Sequence, residues 1–330
     1  MASMQAILAE EFGEPDVLQY TEVERPSPGQ GEALIEVCSI GVNYADTMRR
    51  RNQYLVPQEL PFVPGSEVAG VISEAGDGVD GVSVGDRVVT LLGEGGYAPY
   101  AVAPVENLIP LPDGLDFDEA AAVPLQGLSA YHILKTSGRL VEGESVLVHA
   151  AAGGVGTLAV QMAKLLGAGK VIATASTQEK LELARDLGAD VLVNYTEDGW
   201  PERVREATDG AGADVIMEMV GGDFPEKNLS CLARFGRMVV FGAASGDRGK
   251  MVPAGLMNGN QTVTGFWLPR VMGRPDLVGN SLQDILGWVA SGELRLTIGA
   301  RYPLERAAEA HADLEGRRTT GKIVLNPPAS

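Results

Sequence analysis

The stretch His149-Ala150-Ala151-Ala152-Gly153-Gly154-Val155-Gly156 decides the fold. It follows the apolar run SVLV (145–148) and leads into VGTLAVQMAKLLG (155–167), whose apolar positions recur at helical spacing. A short β-branched run, a glycine turn and an amphipathic run make one strand–turn–helix unit. The same unit recurs downstream. KVIATAS (170–176) precedes QEKLELARDLG (178–188), and DVLVNY (190–195) precedes PERVREATDG (201–210). ADVIMEMV (213–220) precedes FPEKNLSCLARF (224–235), after which RMVVFGA (237–243) and QTVTGFW (261–267) complete the series. Continuous apolar strands alternating with helices predict a parallel sheet covered on both faces. Six of them predict a doubly wound sheet of the dinucleotide-binding type.

In that setting the glycines acquire a chemical meaning. Against the pattern G-x-G-x-x-G the loop offers Ala151, Gly153 and Gly156. Gly153 lacks the Cβ that would block a pyrophosphate, Gly156 lets helix and sheet pack closely, and the helix N-terminus presents N–H groups to phosphate. A site for NAD carries an acidic residue at the end of the second strand, where it holds the ribose 2′-hydroxyl. Here Ala175 and Ser176 end that strand, with Lys180 and Tyr195 nearby in the pattern. The expected cofactor is therefore NADPH.

The flanking sequence has another texture. GEALIEV (31–37), VAGVISEAG (68–76), GDRVVTLL (85–92) and YAPYAVAP (97–104) are short β runs punctuated by Gly and Pro, as in a barrel-like β unit. After 268 come the helical patterns LVGNSLQDILGWVASGEL (277–294) and PLERAAEAHADLEGRR (303–318), then the strand GKIVLNP (321–327). The reading is a discontinuous first domain, 1–124 with 268–330, around a cofactor domain at 125–267.

Composition narrows the function. The 330 residues carry a net charge of −18, which disfavours nucleic acid and anionic lipid as partners. A small-molecule substrate is expected instead. Two cysteines, Cys38 and Cys231, exclude a disulfide framework and a cysteine-rich zinc site. No apolar run reaches membrane-spanning length and no secretory pattern opens the chain, so the expected compartment is the reducing cytoplasm.

Several motifs together resemble the zinc-free quinone oxidoreductase branch of the medium-chain dehydrogenase/reductase superfamily: GVNYADTMRR (41–50), LPFVPGSEVAGVI (60–72), VGDRV (84–88), LQGLSAYHIL (125–134), VHAAAGGVG (148–156), FGAASG (241–246) and RRTTGKIVL (317–325). The resemblance covers nearly the whole chain. It implies a GroES-like β-barrel catalytic domain beside the Rossmann sheet, and a homodimer paired at the edge strand near QTVTGFW. At the positions where zinc members of the superfamily hold their catalytic metal stand Asn43, Ser66 and, third, Gln126. Glu67 remains, but one carboxylate holds no zinc, so no metal is expected.

The resemblance also assigns roles. Gly153, Gly154, Val155 and Gly156 hold the pyrophosphate; Ser176, Lys180, Tyr195 and Arg317 form the 2′-phosphate pocket. Gln126 and Ser129 lie under the nicotinamide ribose and ring, flanked by Phe241, Gly242, Ala243, Phe266, Trp267 and Leu268. Asn43, Asp46 and Tyr54 sit on the substrate side, although Asn52-Gln53-Tyr54 stands where the pattern has G-x-Y. Asn43 and Asp46 also read as loop-holding side chains. The run Arg49-Arg50-Arg51 reads as a solvated face, or as a guide for an anionic substrate such as a CoA thioester.

With NADPH and no metal, two acceptor classes fit. A quinone takes hydride and a proton directly. An activated alkene, an enoyl thioester or enone, takes hydride at its β-carbon and a proton beside it, with Tyr54 as candidate proton donor. A protein that binds NADPH without turnover is a third reading, from another class.

Overall fold

The computed structural model describes residues 2–328. The chain forms two compact units, one running to Leu125 and resuming at Thr297, the other spanning Gln126–Leu296.

The second unit is built on a six-stranded sheet in which every pair is parallel. Its strands lie in the order Val191–Asn194, Lys170–Ala175, Ser145–Val148, Ala213–Glu218, Leu232–Val240, Thr262–Gly265. In sequence terms this is 3-2-1-4-5-6, the doubly wound order, and it reverses direction between Ser145–Val148 and Ala213–Glu218. The apolar runs are buried: Val146, Leu147, Ile172, Ala173, Val215 and Ile216 are each wholly inaccessible. Ligands in such sheets bind outside the strand C-termini at the reversal.

The first unit centres on the long strand Glu32–Val42, which pairs antiparallel with Glu67–Ala75, Tyr100–Pro104 and Lys322–Asn326. Lys322–Asn326 thus inserts the chain's last strand into a sheet started near residue 32. Ile35, Ile40, Val68, Ile72, Ile323 and Leu325 form its core with Leu304 and Ala307.

Two sequence boundaries move. The return to the first unit falls at Thr297 and not at 268. Helix Pro275–Ser291 buries Ser281 and Ile285; Ser281 bonds His132 at 3.0 Å and the Trp288 ring lies tilted beside Tyr131. The apolar stripe that looked like renewed barrel texture therefore packs on helix Leu128–His132. The helix expected over 224–235 ends at Cys231, where Leu232 turns extended (φ −79°, ψ 131°) and begins the fifth strand.

Candidate active site

The glycine loop has the shape its composition asks for. Ala150 adopts φ +48°, turning the chain sharply after the first strand. Gly153 is extended and caps the twelve-residue helix Gly154–Leu165. A Cβ on Gly156 would sit 2.3 Å from the Ala150 carbonyl oxygen, and one on Gly154 would sit 2.2 Å from the Gln126 amide. Gly156 is thus required by close approach to backbone, whereas a side chain at 154 would have to displace the Gln126 amide. Gln126 comes from a π-helical turn, Val123–Gly127, and covers the loop; Ser129 follows in the next turn, buried. A bare backbone at the N-terminus of a full helix, at the reversal of a doubly wound sheet, fits a pyrophosphate.

His149, at the head of the motif, is scaffolding. It is buried, with Nδ1 2.8 Å from Thr174 Oγ1 and Nε2 2.7 Å from Asn228 Oδ1. Asn228 Nδ2 donates to Glu218 Oε2 at 2.5 Å. Glu218 Oε1 accepts the N–H groups of Val220 and Gly221 at 2.7 Å each. Burial pushes His149 down to about 4, so the ring is neutral.

The other expected cofactor residues of this unit follow the same strand ends. Ser176 succeeds Ala175, and the Tyr195 N–H donates to the Ala175 carbonyl at 3.2 Å. Lys180 lies in the first turn of the helix capped by Thr177. No acidic residue terminates the second strand. Phe241, Gly242 and Ala243 follow Val240; Phe266, Trp267 and buried Leu268 follow Gly265, and the Phe266 N–H donates to the Val240 carbonyl at 2.8 Å. Val155 lies in the first turn of the glycine-loop helix. Arg317 belongs to the first unit, exposed, at φ +56°.

The first unit holds a second constellation. Helix Tyr44–Arg50 starts in a capping box in which the Asn43 N–H donates to Asp46 Oδ2 at 2.9 Å. The Asn43 side chain is engaged on every side. Its Nδ2 donates to Glu67 Oε2 (3.1 Å) and the Gly41 carbonyl (3.3 Å), and its Oδ1 accepts from Lys322 Nζ (2.9 Å). Lys322 Nζ and Glu67 Oε2 are 2.5 Å apart, with 1% and 0% of their side chains exposed. Glu67 Oε1 also accepts the Leu125 N–H at 2.6 Å.

Asp46, equally buried, accepts from Ser66 Oγ on Oδ1 (3.1 Å) and from the Tyr97 hydroxyl on Oδ2 (3.4 Å). Tyr97 Oη lies 2.8 Å from His311 Nε2, and Arg50 Nη1 lies 3.0 Å from His311 Nδ1. Arg50 also makes a bidentate pair with Glu315 at 3.0 Å. Burial pushes Asp46 up to about 6, against the lowering effects of the Asn43 N–H, Arg49, Lys322 and Ser66.

The expectation of a solvated arginine run is corrected here. Arg50 is fully buried, because a helix of only seven residues turns it toward His311, Glu315 and the Gly13 carbonyl. Arg51 pairs with Glu14 and Glu315, and Arg49 reaches the Gly93 carbonyl. The Arg49 guanidinium also lies 5.1 Å from the ring centre of Tyr54. The missing glycine at 52 changes little: Asn52 adopts φ +52° itself, a conformation asparagine tolerates.

A metal does not suit these residues. Asn43 and Ser66 offer an amide and a hydroxyl, both poor zinc ligands, and the Glu67 carboxylate already holds an ammonium. Sequence reasoning missed Lys322, Tyr97, His311 and Arg50. His311 pairs with an arginine 261 positions away.

Comparison with known proteins agrees with this architecture. The model of the alcohol dehydrogenase GroES-like domain matches residues 29–113, and that of the zinc-binding dehydrogenase matches 154–283. The quinone oxidoreductase of Pseudomonas aeruginosa is 40% identical over 319 residues, 96% of this chain and 97% of that protein. A 2-haloacrylate reductase from Burkholderia sp. is 37% identical over 99% of this chain and 100% of its own length. The crystal structure of Escherichia coli quinone oxidoreductase complexed with NADPH superposes with a TM-score of 0.92 at 36% identity, covering 99% of this chain and 100% of that one. The chain belongs to the quinone oxidoreductase branch of the medium-chain dehydrogenase/reductase superfamily.

Proposed function

We propose that the protein is an NADPH-dependent quinone oxidoreductase. The observation that carries the reading is the C-terminal edge of the parallel sheet: a bare glycine cradle at the reversal, with Ser176 and Lys180 after a second strand end that has no carboxylate to repel a 2′-phosphate, and Tyr195 after the neighbouring third strand. When bound, NADPH supplies hydride. The chain's part is to orient the nicotinamide with Gln126, Ser129, the Phe241–Ala243 turn and the Phe266–Leu268 turn, to exclude water, and to supply a proton.

Asn43 is a positioning residue in this reading, since its side chain is spent on Lys322, Glu67 and Gly41. Asp46 and Tyr54 stay on the substrate side. The test is NADPH oxidation with 1,4-benzoquinone and 9,10-phenanthrenequinone, alongside crotonyl-CoA and 3-penten-2-one, each repeated with NADH. Turnover of the quinones with NADPH is expected.

The likeness to a 2-haloacrylate reductase favours a second reading, an enone or enoyl-thioester reductase with Tyr54 as proton donor. Preferential turnover of the alkenes would establish it. NADPH binding without turnover of any acceptor would leave a binding protein.

Among the described residues the strand Thr262–Gly265 pairs with Leu232–Val240 alone, which leaves its outer edge open to a second copy. We propose a homodimer joined there, which light scattering at micromolar concentration checks. Among the described residues no helix is long and apolar enough to cross a membrane. Two unpaired cysteines, one of them buried, support a reducing cytoplasm as the compartment.

A further inference from the structure

We propose that Ser66 is the proton donor to the reduced acceptor and that Asp46 resupplies the seryl hydroxyl. The inference rests on the quinone reductase reading above.

Hydrogen-bond donors along the chain Arg50–His311–Tyr97–Asp46–Ser66 fix where its protons lie. A guanidinium has no lone pair to offer, so Arg50 Nη1 must donate to His311 Nδ1. That nitrogen is therefore the bare one, and the neutral ring carries its proton on Nε2. Nε2–H donates to Tyr97 Oη, which leaves the Tyr97 hydroxyl proton to point at Asp46 Oδ2. The Asn43 N–H also points at Oδ2. Asp46 Oδ2 is saturated by two donors that do not give up their protons. The oxygen free to carry a proton is Oδ1, and its partner is Ser66 Oγ, 3.1 Å away.

The inner end of the chain is closed to proton traffic. To pass a proton outward, His311 would become an anion. To receive one, Nδ1 would have to displace Arg50, which Glu315 pins in place. Burial, with Arg50 and Arg51 beside it, pushes His311 down to about 3, so the imidazolium is absent near neutral pH. The buried cations Lys322 and Arg50 are likewise committed, Lys322 to Glu67 and Arg50 to Glu315. Among the described residues, a proton on Asp46 has one exit, through Ser66. Arg49 and Lys322 are the charged groups acting on Asp46, and its position near 6 keeps a transferable proton within reach of neutral pH.

The step balances. The acceptor takes two electrons and one hydrogen from the cofactor, which leaves oxidised, and its oxygen bears the negative charge. Ser66 Oγ–H breaks as the acceptor O–H forms. Asp46 Oδ1–H breaks as Ser66 Oγ–H is restored. Asp46 is left as the carboxylate and regains a proton from water through Ser66 once product has gone.

Two quinones separate this from a structural role. The anion formed from 1,4-benzoquinone is basic and needs a proton; that from tetrachloro-1,4-benzoquinone is acidic enough to leave unprotonated. Ser66→Ala and Asp46→Asn should each lower kcat with benzoquinone by about 10²-fold, the range of a lost general acid, and with the tetrachloro compound by less than about tenfold. NADPH affinity, read by fluorescence titration, should hold in both variants. In protein free of cofactor, the infrared carbonyl band of protonated Asp46 should vanish in Asp46→Asn and shift in Ser66→Ala. Equal losses with both quinones, no loss, or an unshifted band in Ser66→Ala would overturn the assignment. A wild-type protein inert with every quinone would instead overturn the function on which it rests.

Discussion

Each unit buries a polar chain, and the two chains end differently. In the second unit Thr174, His149, Asn228 and Glu218 link the second strand to the first and then to the turn after the fourth. Every donor meets an acceptor, and the chain terminates in backbone N–H groups. In the first unit the ends are a buried arginine and a serine hydroxyl. One chain is closed and acts as scaffolding beneath the glycine loop. The other has an end that can exchange a proton. Both look alike in sequence, as isolated polar residues within apolar runs, and only their partners tell them apart.

The comparison breaks hardest at Lys322. Among the described residues its ammonium is the one cationic partner of a Glu67 carboxylate with no exposed surface. Lys322→Met would strand that charge and release Asn43, at a cost of about 3–5 kcal/mol, the range for breaking a buried pair from one side. Urea denaturation measures it. The double variant Lys322→Met, Glu67→Gln should recover much of the stability, because no charge is then left uncompensated. It should not recover turnover, because Asn43 still lacks the donor that orients its amide. Recovery of both would reduce the pair to a packing feature.

The next effect sharpens the opposite pole, the binding edge of the second unit. Lys180→Ala and Arg317→Ala should each weaken NADPH by about 1.5–3 kcal/mol, the worth of a hydrogen bond to a charged group, with little change for NADH. Calorimetric titration of both cofactors reads the difference. Equal weakening of the two would remove these residues from the 2′-phosphate pocket.

What was legible in the sequence follows the same division. The alternation of apolar strands and amphipathic helices is a local signal, so the parallel sheet and the glycine turn could be read directly. The final strand GKIVLNP could be assigned to the first unit by texture. The open polar chain could not be read. Lys322 meets Glu67 across 255 positions and Asn43 across 279, and nothing in a buried lysine's neighbours along the chain announces it. Arg50 was hidden by its setting, since three consecutive arginines look solvated and a seven-residue helix puts the middle one inside. The helix Pro275–Ser291 was misassigned for a related reason. An amphipathic stripe states that a face will be buried but not which unit buries it.

The smallest predicted effect tests the two histidines that anchor these chains. His149 and His311 hold folded-state values of about 4 and about 3, against an ordinary 6.5, chiefly through burial. Around pH 6 the unfolded chain therefore binds more protons than the native one, so stability falls as pH falls through the ordinary histidine range. Asp46 works in the opposite sense: raised from 3.8 to about 6, it binds more protons when folded and recovers part of the loss. The net loss from about pH 7.5 to about pH 6 should be on the order of 1 kcal/mol, read from urea midpoints. His311→Gln separates the contributions. Its amide oxygen can accept from Arg50 and its amide nitrogen can donate to Tyr97, so the bonds persist while the titration disappears. The pH dependence should drop by about half, with the remainder owed to His149 and His132, both lowered by burial, less the opposing contribution of Asp46. An unchanged slope in His311→Gln would mean that His311 titrates alike in the folded and unfolded chains. The donor accounting that runs from Arg50 to Ser66 would then lose its fixed end.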